Sequence, residues 1–519
     1  MRSKKHWLEM LAVLLVAPLT GCATSGPPAQ FAEGITWVAG KHQVRDAKTQ
    51  CVSQWPCLRV DRALETELDA AMTEPDLAKA RLLARDFIEE AHRLSLQSTA
   101  NELLRLDDDG WRELMRLYFN DVDVELSAEL KRQITDAFRH RTDLQVWFLS
   151  RQVEQANDVA ALRKALTPVK ERIEPSVKTA DRSGQVVALA IFALPASLTR
   201  EAIHANEGTC QMDEDFEGVV RYEPAAKAIA SADVQASPYW ELLAKHAPVF
   251  MQEHPKRVEY PRSADGIGQV HAGDDASIDV DVAQPTVYAY ARKVLIAGDP
   301  HVQLTYAIWY PQRPRLSGPV DAEAGRIDGA TLRITLDSQG QPAIFETLNN
   351  CGCHHRLYPT HSLESAARQS HGEPLKDKFF ALERDIDGKY DLIIPKTLKL
   401  DGAASRPIVR CRAGTHAVVD VDVTDGHAGE PVVETRGYAL LPYDDLEQLR
   451  TPSGRVVSMF LDNGLVRGAE RLEGDLFKPL GMLNAGQPRQ RGTQMIQWDQ
   501  YDFDHPKLLE STLRLPGSF

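Results

Sequence analysis

A change of period near residue 240 constrains this chain more than any other feature of its sequence. Before it, apolar residues recur at three- and four-residue steps, as on one face of a helix. After it, apolar and polar residues alternate, as in a strand with one face buried. The two periods place different elements in different halves. The expected class is therefore α+β: a helical region over 58–240, then a β-rich, mainly antiparallel domain over 241–519, built as a sandwich or open barrel.

In the first half, Leu83, Phe87, Ala91 and Leu94 mark the apolar stripe of a helix over Leu77–Gln97. Trp111–Phe119, Leu126–Phe138, Leu144–Val153 and Ala160–Ile173 repeat the habit, and Asp109 is placed to cap the helix around Trp111. Residues 31–57 show no period. In the second half, Ser277–Val282 alternates strictly, and Thr286–Ile296 and Val302–Tyr310 are rich in Val, Tyr, Ile and Thr. Thr331–Leu336 and Ala343–Thr347 flank a turn at Asp337–Gln341, which predicts a hairpin. Tyr390–Ile394, Ile408–Arg412, Ala417–Val423 and Arg455–Leu461 read as further strands, with a turn at Asn463-Gly464 and a helix only near Tyr443–Leu449.

The N-terminus carries an address. Arg2, Lys4 and Lys5 precede the apolar run Met10–Leu19, whose ten residues rise only about 15 Å as a helix, half of a ~30 Å hydrocarbon core. The run is too short to span and reads as a cleaved export signal. It ends in Leu19-Thr20-Gly21-Cys22, which resembles the lipobox of bacterial lipoproteins. The resemblance implies removal of residues 1–21, a diacylglycerol on the Cys22 sulfur and acylation of the new amine, two or more chains giving stable anchoring. Residue 23 is Ala, not Asp, so in a Gram-negative cell the resemblance favours the outer membrane. Residues 22–57 would then hold the anchor, a tether (Thr24–Gln30) and a small cysteine loop. The partner implied is the membrane, with the body in the periplasm or at the cell surface.

Charge removes one class of partner. Sixty basic residues face 74 acidic ones, a net −14, with no basic cluster, so nucleic acid is not expected as a ligand. With Cys22 lipidated, six of the seven cysteines remain: Cys51, Cys57, Cys210, Cys351, Cys353 and Cys411. An even number in an oxidising compartment suggests disulfides. Cys51 and Cys57 are expected to pair around Trp55-Pro56. A direct Cys351–Cys353 bridge makes a tight ring, which favours longer bridges to Cys210 and Cys411.

The densest chemistry lies in Asn349-Asn350-Cys351-Gly352-Cys353-His354-His355, with His361 and His371 beyond it. Thiolate and imidazole are ligands for zinc and copper, so a metal site drawn from His301, Cys351, Cys353, His354, His355, His361 and His416 is one reading. A redox-active dithiol is another, and disulfide staples with histidines serving the loop are a third. Asp265-Gly266-Ile267-Gly268 lacks the third glycine of a dinucleotide loop and reads as a plain loop. Asp107-Asp108-Asp109-Gly110 and Asp121–Glu125 lack calcium-loop spacing and read as caps and turns. Tyr306, Trp309 and Tyr310, on neighbouring strand positions, suggest a stacking platform for a glycan. The body is thus expected to bind an envelope protein or a ligand. The alternative is a zinc- or copper-dependent hydrolase of an envelope polymer, with Glu346 or His416 as general base.

Overall fold

The computed structural model describes residues 31–170 and 216–519, apart from 53–54, 56, 120–125, 230–238, 317–320, 322, 386–393, 401–405, 424–429, 478–485, 497–500, 506 and 518. The lipobox, Cys210, Asp121–Glu125 and most of Tyr390–Ile394 lie outside the described residues. No helix among those described is long and apolar enough to cross a membrane. The chain divides into two compact units, one over residues 1–177 with 461–464, the other over the remainder.

The first unit is helical. It comprises α1 (Phe31–Lys41), a two-stranded hairpin of β1 (Gln50–Cys51) and β2 (Arg59–Val60), α2 (Arg62–Thr73), α3 (Leu77–Arg105), α4 (Asp108–Phe119), α5 (Ala128–Gln155) and α6 (Val159–Lys170). Side-chain caps fix the starts: Asp61, Asp76 and Ser127 accept from the N–H groups of Leu64, Lys79 and Leu130. The cap of α4 is Asp107, which accepts from Gly110 N–H at 2.7 Å; Asp109 lies inside the helix and pairs with Arg112. The expected helices over 126–138 and 144–153 are one rod, because no Pro or Gly interrupts the stretch between them. α1 was masked in the sequence by its mixed composition. Its Ile35 and Val38 pack with Trp111, Leu114 and Leu130.

The second unit is built on one ten-stranded sheet. Its strands are β3 (Phe216–Ile229), β4 (Val249–Pro255), β7 (Thr286–Ile296), β8 (Asp299–Arg313), β9 (Gly325–Leu336), β10 (Pro342–Asn349), β11 (Arg356–Pro359), β12 (Ile408–Cys411), β13 (Val418–Asp422) and β14 (Val432–Pro442), in the order β11-β10-β9-β8-β7-β14-β3-β4-β12-β13. Pairing is antiparallel except where β14 joins β7 and β3 and where β12 joins β4. The sheet curls into a nearly closed barrel. Arg356 Nη1 on β11, one edge, donates to the Val419 carbonyl on β13, the other edge, at 3.0 Å. Strand β3 was not legible in the sequence: it carries Pro224 and a run of alanines rather than alternation, and it starts the sheet well before residue 241.

Alternation along the strands decides what fills the barrel. On β8, Leu304, Tyr306, Ile308 and Tyr310 point inward with Ala330, Leu332 and Ile334 of β9, Phe345 of β10 and Tyr438 and Leu440 of β14. A short helix, α7 (Trp240–Lys245), adds Trp240 and Leu243 to this core, and Tyr306 donates to the Leu243 carbonyl at 2.9 Å. The interior is thus a packed core. The outer face is also covered. A hairpin of β5 (Gln269–Ala272) and β6 (Ile278–Asp281), with Tyr443 and Phe460, packs over Trp309, while α8 (His361–His371) and the C-terminal Phe503 and Phe519 pack over Ile344 and Leu357. α8 replaces the loop expected there. Thr360 caps it, accepting from Leu363 N–H.

Candidate functional site

The barrel mouth beyond Tyr310 gathers the chemistry-bearing residues. Register sets the first of them: Asp328 of β9 pairs with Tyr310 of β8, which turns its carboxylate to the inner side. The next residue, Gly329, has no substitute, because a Cβ there would overlap the Asn350 amide and the Ile308 carbonyl. That close approach seats the β10–β11 turn. Asn350 N–H donates to the Gly329 carbonyl at 2.8 Å, and its side-chain oxygen accepts from Thr331 Oγ1 at 2.7 Å.

The turn holds the two thiols. Asn349 N–H donates to the Cys353 carbonyl at 2.9 Å and Gly352 N–H to the Asn349 carbonyl at 2.7 Å, closing Asn349–Cys353 on itself. Gly352 sits at φ 91°, left-handed backbone that glycine takes without strain. Cys351 and Cys353 are half-buried and hydrogen-bonded to each other. The Cys353 side chain, with its N–H, stabilises a negative Cys351 sulfur and lowers that thiol below the usual range, and Arg471 acts in the same direction. Cys353 is pushed up by the same bond, by burial and by the carboxylates of Glu473 and Glu323.

Around the turn, charges are paired. Arg471 donates from Nη2 to Asp328 Oδ1 at 2.9 Å and to the Ile327 carbonyl at 3.1 Å, and from Nη1 to the Glu323 carbonyl. Arg313, at the end of β8, donates to the Thr415 carbonyl at 2.9 Å and pairs with Glu323. His416 is buried with its ring stacked on Tyr310, centroids 3.9 Å apart. Its Nδ1 lies 2.8 Å from Asp328 Oδ2 and its Nε2 3.3 Å from Asp265 Oδ1. Burial would raise the Asp328 carboxyl, but Arg471 and His416 hold it at about 2.

The other candidates are dispersed. His301 bonds through Nδ1 to the Leu336 carbonyl at 2.9 Å and stacks on Phe519. His361, the first residue of α8, bonds to Thr397. His354 is exposed in left-handed backbone, φ 56°. His355 faces Glu346 on the outer side of the sheet. Among the described residues no three His, Cys, Asp or Glu side chains converge to hold a metal, so the seven proposed ligands do not assemble into one zinc or copper site. Glu346 is locked by Arg333 through two bonds of 2.7 and 2.8 Å; against the upward pull of burial, that guanidinium keeps its carboxyl at about 2, out of range for a general base. Tyr306, Trp309 and Tyr310 are all buried, so they form no surface platform for a glycan.

The cysteines also differ from expectation. Cys51, Cys57, Cys351, Cys353 and Cys411 are free thiols. Cys51 bonds to Thr36, and Cys411 lies inside the barrel against the Tyr310 hydroxyl. Asp328 and Arg471 carry no motif in the sequence, and Asp265 stands there only in a stretch that reads as a plain loop. The available signal was an acid, Asp328, at a strand position in step with the apolar face of Ala330, Leu332 and Ile334. No family model, curated protein or solved structure matches this chain.

Proposed function

We propose that this chain is an envelope lipoprotein, anchored through Cys22, whose barrel carries a thiol–disulfide exchange site at Cys351 and Cys353. The observation that supports it most is the pair of half-buried thiols, hydrogen-bonded to each other, in a turn that Asn350 ties to Gly329. The exchange runs by thiolate attack. The Cys351 thiolate attacks one sulfur of a partner disulfide; that S–S bond breaks, and the departing sulfur takes up a proton. Cys353 loses its proton and attacks the Cys351 sulfur, which breaks the mixed disulfide, and the second partner sulfur leaves and takes up a proton. The Cys351–Cys353 bond closes, and the partner leaves as a dithiol. Run in reverse, the same steps oxidise a partner dithiol. The short ring of a Cys-Gly-Cys disulfide stores strain, which favours the oxidising direction and suits an oxidising compartment. The partners are envelope proteins bearing cysteines, consistent with a binding body tied to the membrane.

A trapping experiment tests this. With Cys353→Ser, the full chain incubated with glutathione disulfide is expected to retain glutathione on Cys351, mapped by peptide mass. The wild-type chain releases it and closes the intramolecular bond. Absence of the adduct on Cys351 in the variant refutes the exchange reading.

A further inference from the structure

One buried titratable side chain at the mouth takes no part in the exchange steps. His416 presents both ring nitrogens to carboxylates, Asp328 on one side and Asp265 on the other. A neutral imidazole has a single N–H and cannot serve both. Its stack on Tyr310 and its left-handed backbone, φ 54°, are held by two ties on the same loop, Gly414 N–H to Asp265 at 2.7 Å and Arg313 to the Thr415 carbonyl. Against the downward pull of burial, the two carboxylates raise the ring toward its charged form; with a left-handed backbone as well, that is more than packing requires.

The Asp328 carboxylate is shared. One oxygen takes His416 and the other takes Arg471. Arg471 is itself buried and its Nε has no hydrogen-bond partner among the described residues, and the bond from Asn350 N–H to the Gly329 carbonyl sets Cys351 beside the Asp328–Arg471 pair, where the Asp328 charge raises its thiol and the Arg471 charge lowers it. The line Asp265–His416–Asp328–Arg471 therefore ends at the sulfurs. We propose that His416 is a positioning residue for the dithiol: by occupying Asp328 it leaves the Arg471 charge available to the Cys351 sulfur. This deepens the exchange reading and rests on it for its biological sense. The other charged and titratable groups at the mouth are Tyr310 and Tyr260 beside the His416–Asp265 pair, Glu253 of β4, which accepts from Ala413 N–H of the His416 loop, Arg313, and Glu323 and Glu473 on the Cys353 side. None of them changes in the variants below.

The test is the rate at which iodoacetamide alkylates Cys351 across pH in the reduced full chain, with the site assigned by peptide mass. His416→Gln leaves Asp328 to neutralise Arg471, so the rate near neutral pH is expected to fall about three- to tenfold and the profile to move to higher pH. Asp328→Asn frees Arg471, so the rate is expected to rise by a similar factor and the profile to move to lower pH. Both substitutions break the same His416–Asp328 contact, so a merely structural role would move them in the same direction, and that result, or two unmoved profiles, overturns the proposal. Arg471→Gln is the safeguard against a misfolded His416 variant. It must slow alkylation at least as much and must reduce the gain from Asp328→Asn in combination, leaving only the part that comes from the Asp328 charge acting on Cys351 directly; an undiminished gain overturns the proposal. Alkylation needs no disulfide partner. Opposite shifts without glutathione capture would therefore refute exchange alone, and capture with unmoved profiles would refute the role of His416 alone.

Discussion

Replacing Glu346 by Gln removes one charge from a pair in which both side chains are buried and joined by two short bonds. The Glu346 carboxyl titrates at about 2 instead of its usual 4.5. A displacement of that size corresponds to about 3 kcal/mol of stability at neutral pH. Breaking a buried pair from one side gives a similar figure, about 3–5 kcal/mol. The sign follows from the depressed value. The contribution is complete above the unfolded value of 4.5 and is lost as pH falls through about 2, so wild type and variant should converge in strong acid. His355, which burial holds below its usual range, charges on the way down and adds attraction to Glu346 in the wild type. Urea unfolding read by hydrogen exchange of the β9 and β10 amides isolates the barrel from the helical unit. Replacing both partners, Arg333→Met with Glu346→Leu, should recover most of the loss, since Asp504, which Arg333 also meets at 3.5 Å, keeps Arg292 at 3.2 Å. A single-variant cost under about 1 kcal/mol, or a difference that does not depend on pH, would refute the argument.

Two further outcomes are expected. Gly329→Ala should unseat Asn350 and the turn that carries the thiols, destabilising the barrel by roughly 2 kcal/mol or more and raising amide exchange selectively over residues 349–355, measured by mass spectrometry. Cys22→Ser should move the chain from the membrane pellet to the soluble fraction on cell fractionation, without changing alkylation of Cys351.

Much of the fold could be read from periodicity, because strands buried on one face and helices with one apolar stripe announce themselves. The 337–341 turn, the alternation of 277–282 and the stripe through Phe87 all appear where the pattern places them. Strand β3 and α1 could not be read, because the pairing that makes them is tertiary and their own residues give no period. The mouth was half legible. The cysteine–histidine segment was visible as composition, but the residues that give it chemistry come from far along the chain: Asp265 before β5, Asp328 at the start of β9, Arg471 beyond β16 (Val456–Val457). The aromatic triplet Tyr306-Trp309-Tyr310 misled for a related reason. Alternation shows that two faces exist, and here both faces of β8 are covered.

The barrel closes by a side chain rather than by strand pairing. Among the described residues, Arg356 ties β11 to one carbonyl of β13, while every other neighbour is joined by a ladder. A cylinder fastened this way has a seam. Breathing should begin along it, since it costs the fewest backbone bonds to open. β11 leads directly out of the Cys351–His355 turn, so the seam and the thiols share one hairpin. Opening there would move the sulfurs while the rest of the cylinder stays laddered, much as a cuff opens at its button.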